Sequence, residues 1–178
     1  MKILIGAGSQ THPGWISTQK QTLNLLDRST FEQFFETRKA AAFVCEHVWE
    51  HLTEQQGRDA AKLCYDFLTE GGFMRVAVPD ANFRNESYQN MVKVGGPGPL
   101  DHPAADHKIV YDLPLLTDVF ASVGFGVDPL EYCDNNGRFH YHDWCWEDGP
   151  IFRSFRTDAR NRNNTLGFVS LIIDARKV

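Results

Sequence analysis

The stretch Lys2-Ile3-Leu4-Ile5-Gly6-Ala7-Gly8 reads as a short strand that stops in a glycine turn. Ile3, Leu4 and Ile5 leave no position for a solvated face, so the strand is expected to be buried on both sides, as central strands of parallel sheets are. Gly6 and Gly8 flank one small residue and let the backbone take positive φ close to a ligand. Open α/β sheets bind nucleotides at the carboxyl ends of their strands beside such turns, which makes a cofactor pocket the first functional expectation. The full dinucleotide fingerprint would add a third glycine and a helix. Ser9-Gln10-Thr11-His12-Pro13 follows instead, leaving a plain tight turn as the alternative.

Working outward, Gly14 to Thr18 reads as a second short strand, reached by a link too short for a crossover helix. Leu23 to Leu26 reads as a brief third strand, after which Ser29 caps a helix from Thr30 to Arg38 that buries Phe31, Phe34 and Phe35. Ala40 to Cys45 is the next buried strand, running into Glu46-His47-Val48-Trp49-Glu50-His51-Leu52. Thr53 caps a long helix in which Ala60, Leu63, Cys64, Phe67 and Leu68 recur at helical spacing, with Gly71-Gly72 at its end. Phe73 to Val78 forms a strand closed by Pro79-Asp80. The region from about 81 to 112, with Gly95-Gly96-Pro97-Gly98-Pro99, reads as a loop-rich insertion without regular structure. Asp112 then caps a helix with Pro114 in its first turn, Phe125 to Tyr132 is a strand, Asn135-Asn136-Gly137 is a hairpin-type turn, and Leu166 to Ala175 is a last strand.

A chain of 178 residues fits one α/β domain able to bury a core without staples. Its 42% hydrophobic and 23% charged residues are those of a globular protein, and a net charge of −5 with no basic stripe argues against a nucleic-acid partner. The longest apolar runs, Ala40 to Cys45 and Phe168 to Ile173, are too short to span a bilayer, and no export signal precedes them, so a cytoplasmic protein without a membrane partner is expected. Cys45, Cys64, Cys133 and Cys145 contain no Cys-x-x-Cys pair and are expected to be reduced thiols.

Several of these stretches together resemble the small class I S-adenosylmethionine-dependent methyltransferase-like proteins of the type 11 kind: Gly6-Ala7-Gly8, Gly14-Trp15-Ile16, Glu46 to Leu52, and Glu70-Gly71-Gly72-Phe73-Met74-Arg75-Val76-Ala77-Val78-Pro79-Asp80. The tail, with Gly124-Phe125, Arg153 to Asn161 and Ser170 to Ala175, extends the likeness over most of the chain. The resemblance implies a Rossmann-like methyltransferase sheet, mostly parallel with an antiparallel last strand and helices on both faces, here with a shortened first crossover. It also implies S-adenosylmethionine as cofactor, with Gly6, Ala7 and Gly8 lining its methionine part and Cys45, Glu46 and His47 bordering the adenosine or the reacting centre. The acidic residue that holds the ribose in such proteins falls here at Thr18 or Gln19, neither of which is charged. Losing that carboxylate weakens binding by about 1–3 kcal/mol, the scale of a hydrogen bond to a charged group.

The residues offer further candidates. His47 is placed to take a proton from an attacking hydroxyl or amine as a methyl group transfers, and Asp80 either orients the acceptor or is a turn residue after Pro79. His47-Val48-Trp49-Glu50-His51 also spells His-x-x-Glu-His, a zinc-hydrolase pattern in which a helix would put both histidines on one face and His102, His107, His140 or His142 would add a ligand. Packing of His51 with Glu50 as a cap competes with it, and no metal is expected. His102 and His107 read as a lid or an ordinary solvated loop. Arg153, Arg156, Arg160 and Arg162 could bind a phosphate or carboxylate on the acceptor, unless Asp158 and Glu147 simply neutralise them, and Trp144, Trp146, Phe139 and Tyr141 form an aromatic wall for a sugar or planar acceptor or, more simply, for packing or a homodimer partner. The leading expectation is therefore a methyltransferase acting on a small-molecule acceptor, a glycan precursor being one candidate. A scaffold protein that kept the fold and lost the cofactor stands second, and a zinc hydrolase third.

Overall fold

The computed structural model describes residues 1–162 and 165–178. Seven strands form one sheet, β1 (Lys2–Ile5), β2 (Ile16–Ser17), β3 (Ala40–Glu46), β4 (Leu68–Pro79), β5 (Phe125–Cys133), β6 (Phe139–Tyr141) and β7 (Ser170–Lys177), in the spatial order β2-β1-β3-β4-β7-β5-β6. β1 pairs in parallel with β2 and β3, and β3 with β4, while β7 runs antiparallel to both β4 and β5, and β6 antiparallel to β5. This is the mostly parallel sheet with a reversed last strand. The abbreviated first crossover is a turn: Ala7 N–H donates to Thr18 O at 3.0 Å and Thr18 N–H to Leu4 O at 2.8 Å, stitching β2 directly onto β1.

Strand alternation divides the core in two. Ile3, Ile5, Phe43, Cys45, Met74, Val76, Val78, Leu171 and Ile173 point to one face and meet α1 (Arg28–Phe35), α2 (Glu54–Phe67) and α4 (Leu113–Ala121). Leu4, Ala42, Val44, Ala77 and Ile172 point the other way and meet Trp15, Trp144 and Ile151, all from loops. Of the helices expected on both faces, α1, α2 and α4 are thus gathered on one, and no helical residue is in the second cluster among the described residues. α3 (Glu86–Val92) lies beyond the end of β4, where Tyr88 Oη donates to Val169 O and accepts from Asp80 N–H, both at 2.8 Å.

Thr53 and Asp112 cap α2 and α4 as expected, Thr53 with a reciprocal capping box to Gln56. Several boundaries differ from the sequence expectation. Leu23 to Leu26 is a run of turns: Leu23 N–H donates to Gln19 O and Leu26 N–H to the Asn24 side chain, using the donors a strand would need. α1 starts at Arg28 because Asp27, not Ser29, accepts the first free N–H, and it closes at Glu36 (φ 52°) rather than Arg38. α2 stops at Phe67, since Leu68 already pairs with Ala40 in β4, and Gly71-Gly72 falls in the excursion before Ala42 pairs with Phe73. The region 81–112 holds α3, capped by Asn85. β7 begins at Ser170 instead of Leu166, because Gly167 N–H and Phe168 N–H turn aside to Asn161 Oδ1. All four cysteines are free thiols, and no helix is long and apolar enough to cross a membrane among the described residues.

Candidate functional site

The carboxyl ends of β1 and β3 open into two cavities of about 470 and 420 Å³ that share Gly6, His47 and His51. The first also touches Ala7, Gly8, Glu46 and Glu50, and reaches Arg153, Arg160 and Phe168. The second is walled by Leu23, Leu25, Val48 and Leu52. Both sizes suit a small molecule, and their place above the strand ends is where open α/β sheets bind ligands. Gly6 and Gly8 take φ of 63° and 56°, conformations that disfavour side chains. A Cβ on Gly8 would meet nothing within 4 Å, so its Cα borders open space, whereas one on Gly6 would strike Val48 Cγ2 at 2.7 Å.

His47 is held where β3 ends. Its N–H donates to Ala77 O at 2.8 Å and its backbone takes φ 55°, breaking the chain away from the strand before the short 3₁₀ turn Trp49–His51. Ser170 Oγ donates its only proton to Arg153 O at 2.8 Å, so it accepts from His47 Nε2, 2.9 Å away. The other ring nitrogen, Nδ1, lies 3.1 Å from Glu50 Oε1. The helix that would have stacked His47 over His51 at i, i+4 is absent, because His47 precedes the turn.

The other expected site residues separate. Glu46 borders the first cavity, but it is 6% exposed and its carboxylate accepts from Phe152 N–H and Arg153 N–H, both at 2.9 Å, and from Gln10 Nε2 at 3.1 Å. It straps the 152–153 segment over the end of β3. Cys45 faces the helices instead of the cavity, and burial pushes its thiol well up. Thr18 is buried with Oγ1 donating to Leu4 O, and Gln19 Nε2 clamps Gly8 O at 2.6 Å. Asp80, 1% exposed, lines neither cavity; it accepts from Asn82 N–H at 2.8 Å and Cys133 N–H at 2.6 Å, and burial raises its carboxyl to about 6 against those bonds. Its position is that of a strut between the ends of β4 and β5.

Sequence reasoning missed Ser170, which fixes the His47 ring, and the burial of His107, which lies at 7% exposure in the first cavity rather than in a solvated loop. Of the late arginines, Arg153 and Arg160 reach the cavity, while Arg156 stacks on Trp144 at 4.4 Å. The aromatic wall is core packing at its centre: Trp144 is buried and donates to Glu131 Oε1 at 2.9 Å.

No family model and no curated protein matches the chain. Solved structures do match. The chain resembles a SAM-dependent methyltransferase from Archaeoglobus fulgidus (TM-score 0.55, 13% identity, covering 99% of this chain and 86% of that one). It also resembles the CurJ carbon methyltransferase (0.56, 12%, 99% and 48%) and an O-methyltransferase family protein from Burkholderia thailandensis (0.51, 10%, 92% and 36%). The chain therefore has a class I S-adenosylmethionine methyltransferase-like fold. It spans about a third to a half of the length of two of these three proteins. The glycine turn and the cavities fit such a cofactor in size and in bare backbone, but Thr18 and Gln19 supply no carboxylate for its ribose.

Proposed function

We propose that the chain is an S-adenosylmethionine-dependent methyltransferase acting on a small-molecule acceptor. The observation that carries the reading is the pair of cavities meeting at Gly6 and His47, beside a glycine backbone that borders open space. Leu23, Leu25, Val48 and Leu52 suit the adenine ring, and Gly6, Ala7 and Gly8 the methionine end. The bound cofactor supplies an electrophilic methyl group. The chain's own contribution is to place the acceptor in the first cavity, where Arg153 can pair with an acidic substituent beside Arg160, itself held by Asp158. His47, which lines both cavities with its ring held by Ser170, is the base that would take the acceptor's proton, with Glu50 beside its Nδ1. A phosphorylated or carboxylated sugar, as in a glycan precursor, is one acceptor of that chemistry.

Isothermal titration with S-adenosylmethionine tests the proposal. One-to-one binding is expected, weakened about tenfold to a hundredfold by the missing ribose carboxylate, and abolished in Gly8→Val, whose side chain would enter the cavity from a left-handed backbone. The absence of both heat and a thermal shift at millimolar cofactor would overturn it. That result would favour the second reading, a fold that has lost its cofactor, for which the neutral Thr18 and Gln19 speak.

A further inference from the structure

Glu50 is fully buried, and neither carboxylate oxygen has a hydrogen-bond partner. Buried carboxylates are paired, hydrogen-bonded or bound to metal, because an isolated one loses its hydration with nothing in return. The surroundings of Glu50 are imidazoles. His107 Nε2 lies 4.0 Å from Oε1, the His51 ring stands against the His107 ring at a 4.8 Å centroid distance, and one ligand atom from each of Glu50, His51 and His107 falls within 4.8 Å of the others.

Each ring is turned by its other nitrogen. His107 Nδ1 has the Val92 carbonyl at 2.8 Å as acceptor, so it carries the proton and leaves the Nε2 lone pair facing Glu50. His51 Nδ1 has Asp106 Oδ1 at 2.6 Å, leaving its Nε2 lone pair free. His47, pinned through Nε2 to Ser170, turns its Nδ1 to the same carboxylate. Ring nitrogens and carboxylate thus converge, and the cluster calls for a cation between them, either a proton on an imidazole or a bound metal ion. Fixing an imidazole through its outer nitrogen to a carbonyl or carboxylate is also how metal-binding histidines are oriented. The backbone builds the pocket too: Lys108 N–H donates to Glu50 O at 2.8 Å and Gly95 N–H to His107 O at 3.0 Å, holding the 95–108 loop over the turn that carries Glu50 and His51.

We propose that Glu50, His51 and His107 form a binding site for one divalent transition-metal ion of the zinc class. Two imidazoles and a carboxylate favour zinc, cobalt or iron over magnesium. Three protein ligands leave a coordination position open to the first cavity, which all three residues line. The ion's use rests on the methyltransferase reading: an acceptor oxygen bound there would be oriented and made more acidic beside His47.

The test uses the full chain stripped with chelator and titrated with cobalt chloride and zinc chloride without S-adenosylmethionine, so that it stands or falls apart from methyl transfer. Expected are one cobalt per chain with the visible bands of a nitrogen–oxygen ligand set, displacement by zinc but not by millimolar magnesium, and a rise in melting temperature. Glu50→Gln and His107→Ala should each weaken binding at least tenfold, with His140→Ala, a hairpin residue paired with Asp134, unchanged. Should His107→Ala fail to fold, the wild-type cobalt spectrum and Glu50→Gln still decide. No stoichiometric uptake by the wild type, or uptake unaffected by Glu50→Gln, overturns the proposal.

Discussion

The two faces of the sheet are held by different physics. On the helical face Phe31, Phe35, Phe43 and Phe67 interlock with ring centroids 5.3–6.4 Å apart, and α1, α2 and α4 contribute apolar stripes. On the loop face the apolar cluster is smaller and buried charges do the fastening. Arg75 and Asp174, opposite one another on β4 and β7, form a bidentate pair at 2.8 and 3.0 Å, and Arg75 Nη1 donates to Cys145 O and Gly149 O. Glu131, its carboxyl raised by burial, accepts from Trp144 Nε1, Ser154 Oγ and Phe155 N–H. A helix satisfies its own backbone, so a helical cover needs only apolar contacts. A loop brings unpaired N–H and C=O groups that must be met one by one.

That difference predicts a strong asymmetry under mutation. Arg75→Met should lower unfolding free energy by about 3–5 kcal/mol, because Asp174 is left buried without its main partner and two loop carbonyls lose a charged donor. Arg75→Met with Asp174→Leu should recover much of that loss, since a well-packed apolar pair removes the stranded charge while the loop carbonyls stay unmet. Urea unfolding of both variants reads the effect. A single variant within 1 kcal/mol of wild type would mean that the loop face is held by its aromatic residues alone.

Asp80 sharpens the comparison through pH. Its folded pKa of about 6 lies above the ordinary 3.8, so the folded chain holds this proton more tightly than the unfolded one. The resulting stabilisation is complete below about pH 4 and is lost as pH rises through 6, amounting to about 2–3 kcal/mol. The unfolding free energy measured from pH 4 to 7 should therefore fall more steeply in wild type than in Asp80→Asn. Parallel curves would show that the bonds from Asn82 and Cys133 outweigh burial.

The same contrast explains what could be read from the sequence. α2 and α4 were legible because a cap and a 3.6-residue stripe are local signals. The reversed last strand came with the resemblance, whereas the place of Gly6–Gly8 at the end of β1 was readable from the apolar run before it. Cys45 could have been excluded from the cavity by parity alone, since it shares the helical face with Phe43 while Val44 faces the other way. The fastenings of the loop face were not legible: Glu46 meets Phe152 and Arg153, and Arg75 meets Asp174, across most of the chain's length. His-x-x-Glu-His was visible as a pattern, but four histidines competed to join it, and only the fold of the 95–108 loop brings His107 to Glu50.

The smallest expected effect falls on the helical face, at Thr53. Its Oγ1 accepts from Gln56 N–H at 3.2 Å while Gln56 Oε1 accepts from Thr53 N–H at 2.9 Å, satisfying two donors at the start of α2. Thr53→Ala removes half of that exchange where the freed N–H can turn to water, so the cost should be about 1 kcal/mol. The cap and the Arg75 pair lie on opposite faces and share no hydrogen-bond partner, so the losses in Thr53→Ala and Arg75→Met should add in the double variant to within about 0.5 kcal/mol. A larger departure would mean that the helical cover and the loop cover are coupled through the sheet, and that the two faces are not the separate structures their chemistry makes them.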